Sequence, residues 1–134
     1  MKLELHHINL STQDVKKLET FYKDILFLDT QSDDLPTLEK KKGYSGDVSF
    51  VGDGKVQMHL AQQDLSVNFK TGHFINPVEK GHIAYRTDDI DAFKNHLKEN
   101  NIEFTDWGDI GVSGWHQIFF YDPDGNIIEV HQKI

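Results

Sequence analysis

Apolar and polar side chains alternate along LELHHINL, residues 3–10, with the two-residue period of a half-buried strand. After Asp14 the period changes. Val15, Leu18, Phe21, Tyr22, Ile25 and Leu26 recur at helical spacing in VKKLETFYKDILF, which predicts a helix capped by Asp14 with Phe21 and Tyr22 in the core. A short strand is expected at 28–32, then a polar loop with Pro36 and the solvated run Lys40-Lys41-Lys42. Val48–Val51 and Lys55–Ala61 flank Gly52-Asp53-Gly54 as a hairpin. Residues 62–80 read as a long loop around Gly72 and Pro77.

The second half runs in the same order. His82–Thr87 is a strand, and Asp88 or Asp89 caps a helix to about Glu99 that carries Ile90, Phe93 and Leu97. Ile102–Thr105 is a strand and 106–114 a Gly-rich loop. Gln117–Tyr121 and Asn126–His131 form a hairpin around Asp122-Pro123-Asp124-Gly125. Residues repeat as well as elements: His7-Ile8-x-x-x-Thr12-x-Asp14 returns as His82-Ile83-x-x-x-Thr87-x-Asp89. The expectation is an α+β fold in which one βαβββ unit is used twice, giving eight strands and two helices. The 134 residues suit a single domain 1–134, with module 1 at about 1–61, a linker at about 62–80 and module 2 at about 81–134.

Strand parity assigns faces. Ile8 and Leu10 share one face of the first strand; Leu5, His7, Asn9 and Ser11 share the other. Val56, Met58 and Leu60 oppose Gln57 and His59. Ile83 and Tyr85 oppose His82, Ala84 and Arg86, while Ile128 and Val130 oppose Ile127, Glu129 and His131. Each strand keeps one face for a helix-covered core, and the other presents His7, His59, His82 or Glu129. Three imidazoles and a carboxylate match a site for Zn, Ni, Fe or Mn; the same residues would also serve as the wet face of an antiparallel sheet.

Composition narrows the chemistry. The chain has no cysteine, which removes disulfides, thiolate metal sites and a cysteine nucleophile, and leaves its eight histidines and its carboxylates as ligands. Net charge −8 and a single arginine, Arg86, argue against duplex nucleic acid. No apolar run reaches membrane-spanning length and MKLELHHINL lacks a signal-peptide core, so a cytoplasmic location is expected.

The residues reached so far resemble the vicinal oxygen chelate superfamily of glyoxalase I, fosfomycin-resistance thiol transferases, extradiol dioxygenases and methylmalonyl-CoA epimerase. His7-Ile8-Asn9-Leu10-Ser11-Thr12-Gln13-Asp14, followed by Phe21-Tyr22-Lys23-Asp24-Ile25-Leu26, looks like its first strand and helix. Gly81-His82-Ile83-Ala84 looks like the strand opening its second module. Phe120-Tyr121-Asp122-Pro123-Asp124-Gly125-Asn126-Ile127-Ile128-Glu129 looks like its closing hairpin. The resemblance implies two paired βαβββ modules curling mixed sheets around one divalent ion, with helices on the outer faces and His7, His59, His82 and Glu129 as ligands. Glyoxalase I usually has Glu where this chain has His59.

The family's glyoxalase-like branch moves a proton beside a metal-polarised carbonyl, and the resemblance makes Glu129 the carboxylate base. That gives a lyase or isomerase acting on a small substrate with vicinal oxygens. An Fe(II) extradiol-type dioxygenase, a fosfomycin-type thiol transferase with a thiol cosubstrate, and a non-enzymatic drug-binding module are the alternatives. By parity Asn9, Gln57, Arg86, Gln117 and Phe119 should line the substrate pocket. His131, two residues beyond Glu129, either supports a ligand or ends the strand in solvent. His6 is expected to pack beside Ile8, and His73 and His96 to lie on the surface. Trp107, Trp115 and His116, around Gly108, Gly111 and Gly114, read as a lid or as an ordinary loop with anchoring aromatics. Small members of the family usually dimerise, so a homodimer is implied.

Overall fold

The computed structural model describes residues 1–29, 35–36 and 44–134. Among these, seven strands and three helices follow in the order β1 (Leu3–Thr12), α1 (Val15–Asp24), β2 (Val48–Gly52), β3 (Gln57–Gln62), α2 (Val67–Thr71), β4 (Gly81–Thr87), α3 (Ile90–Glu99), β5 (Thr105–Gly108), β6 (Trp115–Tyr121) and β7 (Ile127–Lys133). The lysine run and most of the strand expected at 28–32 lie outside the described residues. At the latter's start, Asp29 makes an isolated bridge to Gly52. The class is α+β, as expected.

The Thr-x-Asp repeat has a structural cause. Thr12 Oγ1 accepts from Asp14 N–H, and the Asp14 carboxylate caps α1 by accepting from Lys17 N–H. Thr87 and Asp89 do the same for α3, where the acceptor bonds Ala92 N–H. Each half thus turns from strand to helix by the same local hydrogen bonding.

The strands form one mixed sheet in the order β2-β3-β1-β4-β7-β6-β5. β1 and β4 pair antiparallel at its centre, with Ile8 opposite Ile83. Outward from this pair the halves mirror each other: β1 pairs parallel with β3, and β4 parallel with β7. Gly81 begins β4 at φ 124°, and a Cβ there would meet Asn9 O, so a glycine lets the central strands close up.

Two apolar clusters hold the layers. α3 sets Ile90, Phe93 and Leu97 against Ile118 and Val130. The segment between the halves, expected as loop alone, contains α2 and places Val67, Ile75 and Val78 against Tyr44, Trp107 and Phe119. No helix among the described residues is long and apolar enough to cross a membrane.

Four local expectations change. α1 has no buried residue: Tyr22 is half-buried where the helix meets β2 and β3, and Phe21 is 50 % exposed. The apolar stripe was legible; what covers it was not. The strand expected at Ile102–Thr105 begins at Thr105, because residues 100–102 close α3 instead. Asn101 is left-handed (φ 57°), Asn101 N–H bonds Lys98 O, and Ile102 N–H bonds Leu97 O. Trp107 and Trp115 are buried within β5 and β6, so these indoles anchor the segment between them.

The fourth change is a bulge. Leu5 pairs with Tyr85 but His7 with Ala84, which leaves His6 as an extra residue in β1. Alternation therefore breaks at His6. Leu5 is 47 % exposed, whereas His6 joins His7 over the buried face.

Candidate metal centre

The ligand-type residues rise from four adjacent strands. Register places Asn9 between His59 and His82, and Ala84 between His7 and Glu129. Ala84 has only a methyl group to fill its gap, and there the side chains converge. His82 Nε2 and His7 Nε2 lie 2.8 Å and 3.3 Å from the same atom, Glu129 Oε2. All three residues are buried.

Each of the three is also gripped from behind. His82 Nδ1 donates to Pro77 O at 2.8 Å. A carbonyl only accepts, so His82 Nδ1 carries a proton and Nε2 is the nitrogen turned to the centre. His7 Nδ1 lies 2.8 Å from His6 Nδ1. Glu129 Oε1 accepts from Gln117 Nε2 at 3.1 Å, and His131 Nδ1 lies 2.9 Å from the same oxygen. Gln117 Oε1 in turn accepts from Val112 N–H. A Cβ on Gly111 would collide with that oxygen, so the glycine makes room for the link.

Electrostatics favours the ligand forms. Burial lowers His7 to about 4, although Glu129 opposes the shift, so its ring is neutral near pH 7. Burial alone would raise the Glu129 carboxyl, but His7, His131 and His82 around it hold it well below the usual carboxylate range. Two imidazole nitrogens and a carboxylate oxygen thus converge on one buried point. That arrangement calls for a cation, and its donor set fits Zn, Fe, Ni or Mn.

His59 stands apart from this group. Its ring stacks on His7 with centroids 3.7 Å apart and 16° between planes, and its Nε2 is 2.9 Å from Gln57 Oε1. An amide oxygen only accepts, so Nε2 carries the proton and Nδ1 is the basic nitrogen. Burial pushes His59 well below its ordinary value and keeps it neutral.

A cavity of about 60 Å³ adjoins the centre, lined by Asn9, His59, Trp107, Gln117 and Phe119 among others. It holds about two waters' worth of volume. Of the residues expected there, Asn9, Gln117 and Phe119 line it. Gln57 lies behind His59. Arg86 lies behind His131, donating from Nε to His131 Nε2 at 3.1 Å, with its guanidinium carbon 5.1 Å from the Trp115 ring centre. His131 is fully buried, so it backs Glu129 and is no exposed strand end. His73 also differs from expectation: its ring stacks on Trp107 and its Nδ1 is 2.5 Å from Thr105 Oγ1. His6 was missed because a single sequence marks no bulge; the adjacent pair His6-His7 was its only signal.

Comparison with known proteins places this chain in a family. The chain is 29 % identical to the Escherichia coli K12 protein YaeR over 97 % of this chain and 96 % of that protein. Its fold matches a Bacillus halodurans protein, BH1468, with TM-score 0.72 and 20 % identity over 100 % of this chain and 96 % of the other. A methylmalonyl-CoA epimerase bound to methylmalonyl-CoA and NH4+ matches with TM-score 0.70 and 17 % identity, covering 99 % and 96 %. At such identities the two structures speak for the fold alone. A sequence profile of the glyoxalase/bleomycin resistance protein/dioxygenase superfamily matches residues 4–130, and the chain belongs to that superfamily.

Proposed function

We propose that this chain is a divalent-metal enzyme of the glyoxalase-like lyase/isomerase class, acting on a small substrate with two neighbouring oxygens. The observation that carries the reading is the meeting of His7 Nε2, His82 Nε2 and Glu129 Oε2 at one buried point beside a cavity. An ion held there supplies Lewis-acid polarisation and a template for two adjacent oxygens. The protein's part is orientation and proton handling. Gln117 fixes one oxygen of Glu129, so the other faces the centre. Glu129 is the base by resemblance, and it must loosen its hold on His7 or His82 to take a proton. His59, neutral and with Nδ1 free of Gln57, is the second proton acceptor beside the cavity. Phe119 and Trp107 provide apolar walls that keep water from the reacting carbon.

Three converging ligands with His59 aside also support a second reading, an Fe(II) extradiol-type dioxygenase, for which two histidines and one carboxylate are the usual set. A substrate panel separates them. Turnover of a hemithioacetal or an α-hydroxyketone by Ni-, Zn- or Co-loaded protein supports the first reading. Oxygen uptake on catechols with Fe(II) alone supports the second. A loaded protein that turns over neither class refutes both.

The chain is further proposed to work as a homodimer. Leu3, Leu5, Ile8 and Ile83, on the two central strands, are each more than one-third exposed, a concentration of apolar surface that a second copy would cover.

A further inference from the structure

The bulge in β1 has a chemical consequence at the metal centre. It turns two successive histidines to one face, and their rings meet edge to face with centroids 5.1 Å apart and 83° between planes. The two Nδ1 atoms are 2.8 Å apart, close enough for one hydrogen bond and one proton between them. His7 Nε2 already faces Glu129 Oε2 and is the nitrogen available to an ion. Of the two contacts the His7 ring makes, the one at Nδ1 is the shorter, 2.8 Å against 3.3 Å, and Glu129 Oε2 is already engaged by His82 at 2.8 Å; a neutral His7 therefore places its proton on Nδ1, with His6 Nδ1 as the acceptor.

Resting on the metal-centre reading above, we propose that His6 is a positioning residue: its Nδ1 holds His7 in the Nδ1–H tautomer and fixes the ring so that Nε2 points at the metal.

His6 is itself set by neighbours rather than by solvent. Its ring lies edge-on to His131 at 4.8 Å and to Trp115 at 5.2 Å, so it cannot turn without displacing buried rings. The arrangement matches what backs the other ligands. Pro77 O receives the His82 Nδ1 proton, and Gln117 steadies Glu129. All three ligands thus have a polar partner behind them, a feature that sets ligand orientation and basicity at metal sites. His6, His7 and His131 are also close enough together to hold an ion of their own. Arg86, 3.1 Å from His131 Nε2, opposes a second cation there, and occupation of His7 Nδ1 by metal would undo the tautomer that the first site needs.

The test uses two variants of different chemistry. In His6→Asn, the amide Oδ1 stands where the imidazole Nδ1 stood and still accepts. In His6→Leu, volume and burial are retained but no acceptor remains. Metal-free full-length wild type, His6→Asn and His6→Leu are first examined by long-range ¹H–¹⁵N NMR of the His7 ring. The Nδ1–H tautomer is expected in wild type and His6→Asn, and mixed tautomers in His6→Leu. Zinc affinity is then measured by chelator competition. It should fall about 10- to 100-fold in His6→Leu, and by less than about threefold in His6→Asn. An unchanged tautomer in His6→Leu overturns the proposal, and so does equal weakening of both variants, which is what a packing role predicts. Two zinc ions per chain would also overturn it. Wild type that binds no zinc refutes the metal reading instead, while the tautomer result still judges His6.

Discussion

Gln117→Leu isolates the support behind Glu129 without touching a ligand. The substitution keeps a buried side chain of similar size and removes two hydrogen bonds. Gln117 Nε2 no longer donates to Glu129 Oε1, a bond to an ionised carboxylate worth about 1.5–3 kcal/mol. Val112 N–H loses its acceptor in a buried position, which costs about 1–3 kcal/mol. Leucine returns about 1 kcal/mol through its greater apolar burial. The net loss is about 3 kcal/mol, equivalent to a fall in Tm of about 10 °C for a chain of this size. A circular-dichroism melt of the metal-free protein reads that loss. Chelator competition reads a second effect: with Oε1 unsupported the carboxylate can rotate, and zinc affinity should drop about 10- to 100-fold. A Tm within 2 °C of wild type (about 0.5 kcal/mol) together with threefold or smaller change in affinity would refute the role given to Gln117.

Further outcomes follow from the same geometry. His59→Ala should weaken zinc binding less than about tenfold while His82→Ala, which loses a converging ligand, weakens it at least about a hundredfold; equal losses in a side-by-side titration would make His59 a fourth ligand. Acid should destabilise the metal-free protein. Folded His7 titrates at about 4 against an ordinary 6.5, so between those values the unfolded chain binds a proton that the folded chain refuses. Stability then declines as pH falls through that window, by up to about 1.4 kcal/mol per pH unit for this residue. The lowered Glu129 carboxyl acts in the same direction below its ordinary 4.5, and a urea-denaturation series from pH 7.5 to 4.5 with a constant midpoint would contradict the His7 shift. For the assembly, sedimentation should find a dimer in wild type and a monomer in Ile8→Lys; a monomeric wild type would end that reading.

Much of the fold was legible because its signals are local. Thr12 and Asp14, like Thr87 and Asp89, bond within three residues of themselves, so the repeat announced both helix starts. Strand parity found His82, Glu129, Gln117 and Phe119 on one face because β4, β6 and β7 alternate without interruption around them, and His7 because β1 is regular from that residue onward. What it missed depends on pairing between distant segments. The β1 bulge exists only relative to β4, and it moved Leu5 outward and His6 inward. Parity put His59 on the correct face, but the face does not set ring orientation; Gln57 and the stack on His7 do. Arg86 sits on the expected face too, yet His131 and Trp115 draw it behind the centre and away from the cavity. Phe21 lies at a helix position whose burial is decided by what packs over it, and Ile102 was drawn out of its expected strand by the bonds that close α3.

The central claim is that His7, His82 and Glu129 form one metal site. Elemental analysis of full-length protein after metal loading and gel filtration, alongside Glu129→Gln, tests it most directly. One divalent ion per chain is expected in wild type, with strong depletion in the variant. Wild type that retains no ion from Zn, Ni, Fe(II) or Mn loading, or a variant that retains as much as wild type, would contradict it.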